Sequence, residues 1–94
     1  MASLKVQFHG LWGLYLGAGP IPLEAGGLDE ALALIEEKFG PLLRQKLKER
    51  GVRLDGDIRK HSYITLNNRG IQQIVDMPLN ESDVLHVFPA VTGG

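Results

Sequence analysis

The chain has 94 residues, 44 % apolar and 22 % charged, which fits one small globular domain with a single modest core and not a disordered chain. Its formal net charge of −1 leaves no overall electrostatic footprint for nucleic acid or an anionic membrane. With no cysteine it has no disulfide, thiol nucleophile or cysteine-ligated metal, in accord with a cytoplasmic protein, and no apolar run nears the roughly 20 residues of a membrane span.

Lys5-Val6-Gln7-Phe8-His9 alternates polar and apolar, the pattern of a strand with one buried face. Gly10 to Leu16 is apolar but short and is broken by Gly13; Gly17-Ala18-Gly19-Pro20 is turn chemistry. Ile21-Pro22-Leu23-Glu24 reads as a second short strand at a sheet edge, because proline cannot donate to a ladder. The two strands predict a hairpin with a long, glycine-rich connection. Trp12, the only tryptophan, belongs either to the core or to a protein-binding patch.

Leu28, Ala31, Leu32, Ile35 and Phe39 recur at helical spacing, with Asp29 and Glu30 in the first turn where the helix dipole favours carboxylates. Gly40-Pro41 predicts the stop of this main helix. Its acids read as a solvated face. Leu42 to Arg50 predicts a second, shorter helix with Leu43 and Leu47 inward, and Gly51 to Lys60 a loop. Between Arg44 and Lys60 lie seven Lys or Arg against three acids, either a solvated surface or a patch for an acidic partner.

Ser62 to Leu66 predicts a third strand, Asn67-Asn68-Arg69-Gly70 a turn, and Val84 to Phe88 a last strand ending at Pro89; Ile71 to Asp76 is ambiguous. The expected class is α+β: a mixed sheet packed on one main helix, the last strand parallel to the first and the tail leaving the sheet edge. Residues 1–88 form the domain and 89–94 a flexible tail.

No self-contained active site emerges. The glycines between Gly10 and Gly19 lack the Lys-[Ser/Thr] of a phosphate loop, and Pro20 breaks any dinucleotide fingerprint. His9, His61 and His86 lie on separate elements without ligand spacing, so no metal site is expected. His9 and His86 fall in strands expected to be neighbours and can approach one another on a solvent-facing sheet surface.

The chemistry falls to the end of the chain, Phe88-Pro89-Ala90-Val91-Thr92-Gly93-Gly94. Terminal glycines add no burial, but they let backbone enter a narrow site. A carboxylate at Gly94 becomes an acyl donor once another enzyme adenylates it with ATP. The carbonyl can then accept sulfur as a thiocarboxylate, which needs no cysteine.

Leu79-Asn80-Glu81-Ser82-Asp83-Val84, followed by Phe88 to Gly94, resembles the end of the ubiquitin-like sulfur carriers of the MoaD/ThiS superfamily, above all the MoaD family, the small subunit of molybdopterin synthase. Asn68-Arg69-Gly70-Ile71 resembles that family's Asn-Gly-[Arg/Lys]-x-Ile segment. Ala90 departs from the usual second proline and Thr92 from a small Ala or Ser. The ending also resembles the CysO-type carriers of cysteine synthesis.

The resemblance implies a ubiquitin-like β-grasp fold over the whole chain. It implies Gly94 as the reactive terminus and Pro89, Ala90, Val91, Thr92 and Gly93 as the threading tail; Phe88 is expected near the partner contact, because a tail of a few residues cannot by itself give a specific complex. It also implies two partners, an adenylating enzyme of the ubiquitin-activating type and the molybdopterin synthase large subunit. No bound cofactor is implied, because ATP is used by the activating enzyme. The same terminus would also serve a protein modifier joined to lysines.

Overall fold

The computed structural model describes residues 2–17, 19–71 and 78–90. Strand β1 (Ala2–Phe8) is followed by helix α1 (Gly10–Leu16), strand β2 (Ile21–Ala25) and the long helix α2 (Leu28–Glu49). A 3-10 turn (Ile58–His61) leads into β3 (Ser62–Leu66), then the two-residue β4 (Arg69–Gly70) and β5 (Val84–Pro89). They form one mixed sheet in the order β2-β1-β5-β3-β4. β1 and β5 run parallel, as the sequence suggests; every other pairing is antiparallel.

The period of two in β1 and β5 divides the sheet into two faces. Leu4, Val6, Phe8, Leu85 and Val87 enter the core beneath α2, whose buried stripe is Leu28, Ala31, Leu32, Ile35, Leu43 and Leu47. Phe8 meets Phe39 edge to face at 4.9 Å. β2 is the edge strand expected from Pro22, which pairs with Lys5.

Several expectations give way. The connection between β1 and β2 is helical in its first half, because Trp12 is fully buried and its indole N–H donates to Ser62 Oγ at 2.8 Å. Ser62 in turn donates to the Ile58 carbonyl at 2.7 Å. This resolves Trp12 in favour of the core.

The main helix does not stop at Gly40-Pro41 but runs 22 residues through it. An interior proline costs a helix about 3 kcal/mol. The burial of Leu43 and Leu47 beyond it opposes that cost, and so does a fork across the same turns. In that fork Arg44 donates Nη1 and Nη2 to the two oxygens of Glu36 at 3.0 and 2.9 Å. Glu36 also accepts the Ile58 N–H at 2.8 Å, and Arg44 reaches the Gly56 carbonyl at 3.0 Å. Glu36 is therefore a staple between α2 and the 51–61 loop, not part of a solvated face. The Arg44 guanidinium holds its carboxyl below the usual carboxylate range.

The last strand lies in the middle of the sheet and not at its edge, so the tail departs from the sheet's centre. Asn67 and Asn68 take positive φ (51° and 72°) in the tight turn between β3 and β4, conformations that asparagine tolerates better than most residues. Asp83, almost fully buried, accepts from Asn67 Nδ2 at 2.8 Å and from the Asn80 N–H at 2.7 Å, closing the turn that starts β5.

Candidate functional site

Among the described residues no helix packs on the second sheet face around β5. On that face Gln7 and Thr65 flank His86, and Tyr63 lies opposite Phe88. His9 sits one residue past β1 and completes the group, because its N–H donates to the Val87 carbonyl at 2.9 Å and so extends the pairing with β5. Its imidazole stacks on Phe88 with ring centres 4.4 Å apart and 13° between planes. His9 Nε2 and His86 Nδ1 share a hydrogen bond at 2.8 Å. Tyr63, 46 % exposed, extends the aromatic strip on the other side of Phe88 at 6.3 Å. Burial, and next the neighbouring His86, push the His9 pKa below its ordinary value.

The root of the tail lies beside this strip. Pro89 ends β5 opposite Ser62 and cannot donate; the next N–H, of Ala90, donates to the His61 carbonyl at 2.9 Å. On the other side the Pro89 ring lies against Gly10, which takes φ of +57°; a Cβ on Gly10 would sit 3.5 Å from the ring carbons. The chain is thus held from both sides up to Ala90.

Phe88, Pro89 and Ala90 are therefore placed, and Phe88 lies half-buried on the same face as His9. Val91, Thr92, Gly93 and Gly94 lie outside the described residues, as does most of the ambiguous segment after Ile71. No group of three or more metal-ligating side chains occurs among the described residues. No helix among them is long and apolar enough to cross a membrane.

The basic segment also resolves. Arg44 pairs with Glu36, Arg53 with Asp55 and Arg59 with Asp57. Asp57 caps the 3-10 turn by accepting the Arg59 N–H at 2.8 Å. The use of Arg44 was hidden in the sequence because Glu36 lies eight positions before it, outside the segment, and that of Arg59 because its pair with Asp57 forms in a 3-10 turn where a loop was expected. Also hidden was the stacking of His9 on Phe88. The one signal for it was an apolar Phe88 in the polar phase of a strand whose other phase, Leu85 and Val87, already fills the core.

The five-stranded mixed sheet packed on one long helix, with the chain's end leaving the central strand, defines a ubiquitin-like β-grasp protein. No family model matches the chain, and no curated protein matches it in sequence. Solved structures do. The chain is similar to the small archaeal modifier protein 1 of Methanosarcina acetivorans, with 24 % identity and a TM-score of 0.67 over 100 % of this chain and 98 % of that one. It is 29 % identical to a chain of the complex of subunits 1 and 2 of the molybdopterin-converting factor from Helicobacter pylori, with a TM-score of 0.56, covering 98 % of this chain and 99 % of that one. The small archaeal modifier protein 1 of Haloferax volcanii is 18 % identical with a TM-score of 0.63, covering 99 % and 100 %. Both kinds of neighbour are ubiquitin-like small proteins of the kind the tail resembles.

Proposed function

We propose that the protein is a cytoplasmic sulfur carrier. Its Gly94 carboxylate attacks the α-phosphate of ATP on an adenylating enzyme of the ubiquitin-activating type, giving the acyl-adenylate and releasing pyrophosphate. The terminal sulfur of a persulfide on a donor enzyme then attacks the carbonyl and expels AMP, and a second thiol of that enzyme reduces the resulting acyl disulfide, forming a disulfide and leaving the thiocarboxylate. The acceptor is a molybdopterin synthase large subunit, which uses the sulfur to build the dithiolene of the molybdenum or tungsten cofactor.

The observation that carries this reading is the sequence Phe88-Pro89-Ala90-Val91-Thr92-Gly93-Gly94 at the end of a central β-grasp strand. The Helicobacter pylori neighbour supports the acceptor, since it comes from a complex of two subunits of a molybdopterin-converting factor. Phe88 and the strip around it supply the docking area that a short tail lacks, since interfaces concentrate their energy in a few aromatic or aliphatic anchors.

The archaeal modifier neighbours favour a second reading, in which the same activated Gly94 is passed to a lysine amine and forms an isopeptide bond. Mass spectrometry of the protein from its own cell separates the two. Carriage of sulfur shows as one oxygen exchanged for one sulfur at Gly94, and modification as conjugates of higher mass. ATP–pyrophosphate exchange with the cognate activating enzyme tests the shared first step. Adding one residue after Gly94 abolishes exchange if the terminal carboxylate reacts, and undiminished exchange overturns both readings.

A further inference from the structure

A groove of about 400 Å³ opens between α1, the end of α2 and the loop that follows it. Trp12 and Leu47 form its buried floor, with Leu11 and Tyr15 of α1 and Val52 and Leu54 of the following loop around them. Leu11 and Val52 of its lining are partly exposed, and Leu14 lies one turn along α1 from Leu11. Leu11 is 43 % exposed, Val52 47 % and Leu14 73 %. Singly exposed aliphatic side chains are ordinary on a protein surface, whereas a contiguous apolar patch with charge around it marks an interaction site.

The rim is cationic. Arg53 lines the groove, and Lys48 lines the hollow on the other side of the Val52–Leu54 segment. Arg50 lies over the Tyr15 ring, its guanidinium carbon 6.0 Å from the ring centre. Among the described residues no carboxylate lines the groove. Asp55 is the nearest acid in the adjoining hollow, and its pair with Arg53 stands in water (side chains 89 % and 79 % exposed), so it neutralises little. Neither Lys48 nor Arg50 makes an ion pair among the described residues.

We infer that this groove is a second docking site, which takes an aliphatic side chain carried on an acidic segment of a partner protein. The concave apolar floor selects a side chain and the cationic rim selects the charge around it. A membrane fits less well, because a bilayer needs a protruding apolar surface and the chain as a whole carries −1. The groove also adjoins the root of the tail, since His61, whose carbonyl accepts from Ala90, lines it. That a partner comes to this place rests on the carrier reading; the complementarity of the groove does not.

The test uses the intact chain and an acetylated, amidated probe peptide, Glu-Asp-Leu-Glu-Ile-Asp-Glu. Trp12, the only tryptophan, reports from the groove floor by fluorescence, and amide NMR shifts locate the contact. Expected are saturable binding and shifts at Leu11, Tyr15, Val52 and Leu54. Affinity falls with added salt, because screening shortens from about 10 Å at 0.1 M to about 3 Å at 1 M. The double variant Lys48→Glu, Arg50→Glu weakens binding roughly tenfold, as does Val52→Ser. Equal binding of the counterpart peptide with lysine for every acid, absence of saturable binding, or shifts confined to Tyr63 and Phe88 overturns the inference. So does displacement of the peptide by phosphatidylglycerol vesicles, which would make the patch a membrane contact. Deleting Gly94 leaves peptide affinity unchanged, so the groove and the carrier chemistry fail or succeed separately.

Discussion

The imidazole of His9 and the phenyl ring of Phe88 lie stacked, 4.4 Å between centres, on the sheet face that the core does not use. β5 places Phe88 there, and the backbone bond from His9 N–H to the Val87 carbonyl holds His9 above it. Phe88 thus belongs to the surface and not to the buried cluster of Leu85 and Val87. Phe88→Ala is expected to weaken docking of the activating enzyme by about 1–3 kcal/mol, the range of a hot-spot aromatic. Calorimetric titration measures it, alongside a thermal melt that stays cooperative. A variant with no folded population would place Phe88 in the core.

His9, with His86 beside it, is expected to make stability depend on pH. The His9 pKa is depressed, from 6.5, by burial and by His86. The unfolded chain therefore takes up the proton first as pH falls. The stabilisation is complete above pH 6.5 and is lost as pH falls through the lowered folded value. Thermal melts at descending pH should show the midpoint falling over this window in the wild type and falling less in His9→Gln. Glu36 and Asp57, whose pKa values are also lowered, act in a separate, more acidic window: their contribution is present above the ordinary carboxylate pKa and lost below it.

Gly40 and Glu36 are coupled. A Cβ on Gly40 would collide with the Glu36 carboxylate, displacing it from Arg44 and from the Ile58 N–H. Glu36→Ala is expected to cost about 1–2 kcal/mol, since charged hydrogen bonds are lost at a partly exposed site. Gly40→Ala should also destabilise, although alanine is the better helix former by up to about 1 kcal/mol. In the double variant the collision is gone and the alanine gain remains, so the two changes are strongly non-additive. Additive urea midpoints would refute the coupling.

Asp83 is the buried acid that ties the start of β5 to the turn after β3. Asp83→Ala leaves Asn67 Nδ2 and the Asn80 N–H without their acceptor and is expected to cost about 1–3 kcal/mol. Hydrogen exchange should quicken first at Asn80 and then along β5. Asp83→Asn keeps one acceptor oxygen and should lose about half as much.

Much of this fold is legible in one dimension, because its signals are local and periodic. The alternation in β1 and β5, the stripe from Leu28 to Phe39, the edge proline Pro22 and the terminal Gly-Gly each state their own role. Other features depended on contacts between distant residues. Gly40-Pro41 carries a stop signal that tertiary packing overrides, because Leu43 and Leu47 gain a core and Glu36 gains Arg44 and Ile58. Trp12 was undecided until Ser62, fifty positions away, supplied its hydrogen-bond acceptor. The seven cations from Arg44 to Lys60 look alike in sequence, yet Arg44 and Arg59 are spent on internal pairs while Lys48 and Arg50 make no ion pair among the described residues. The sequence alone determined which residues could be inside and what the chain's end could do, since hydrophobic period and covalent chemistry are local properties. Only the tertiary structure decided which polar groups found partners and which surfaces stayed uncovered, since both depend on what the fold brings within a few ångströms.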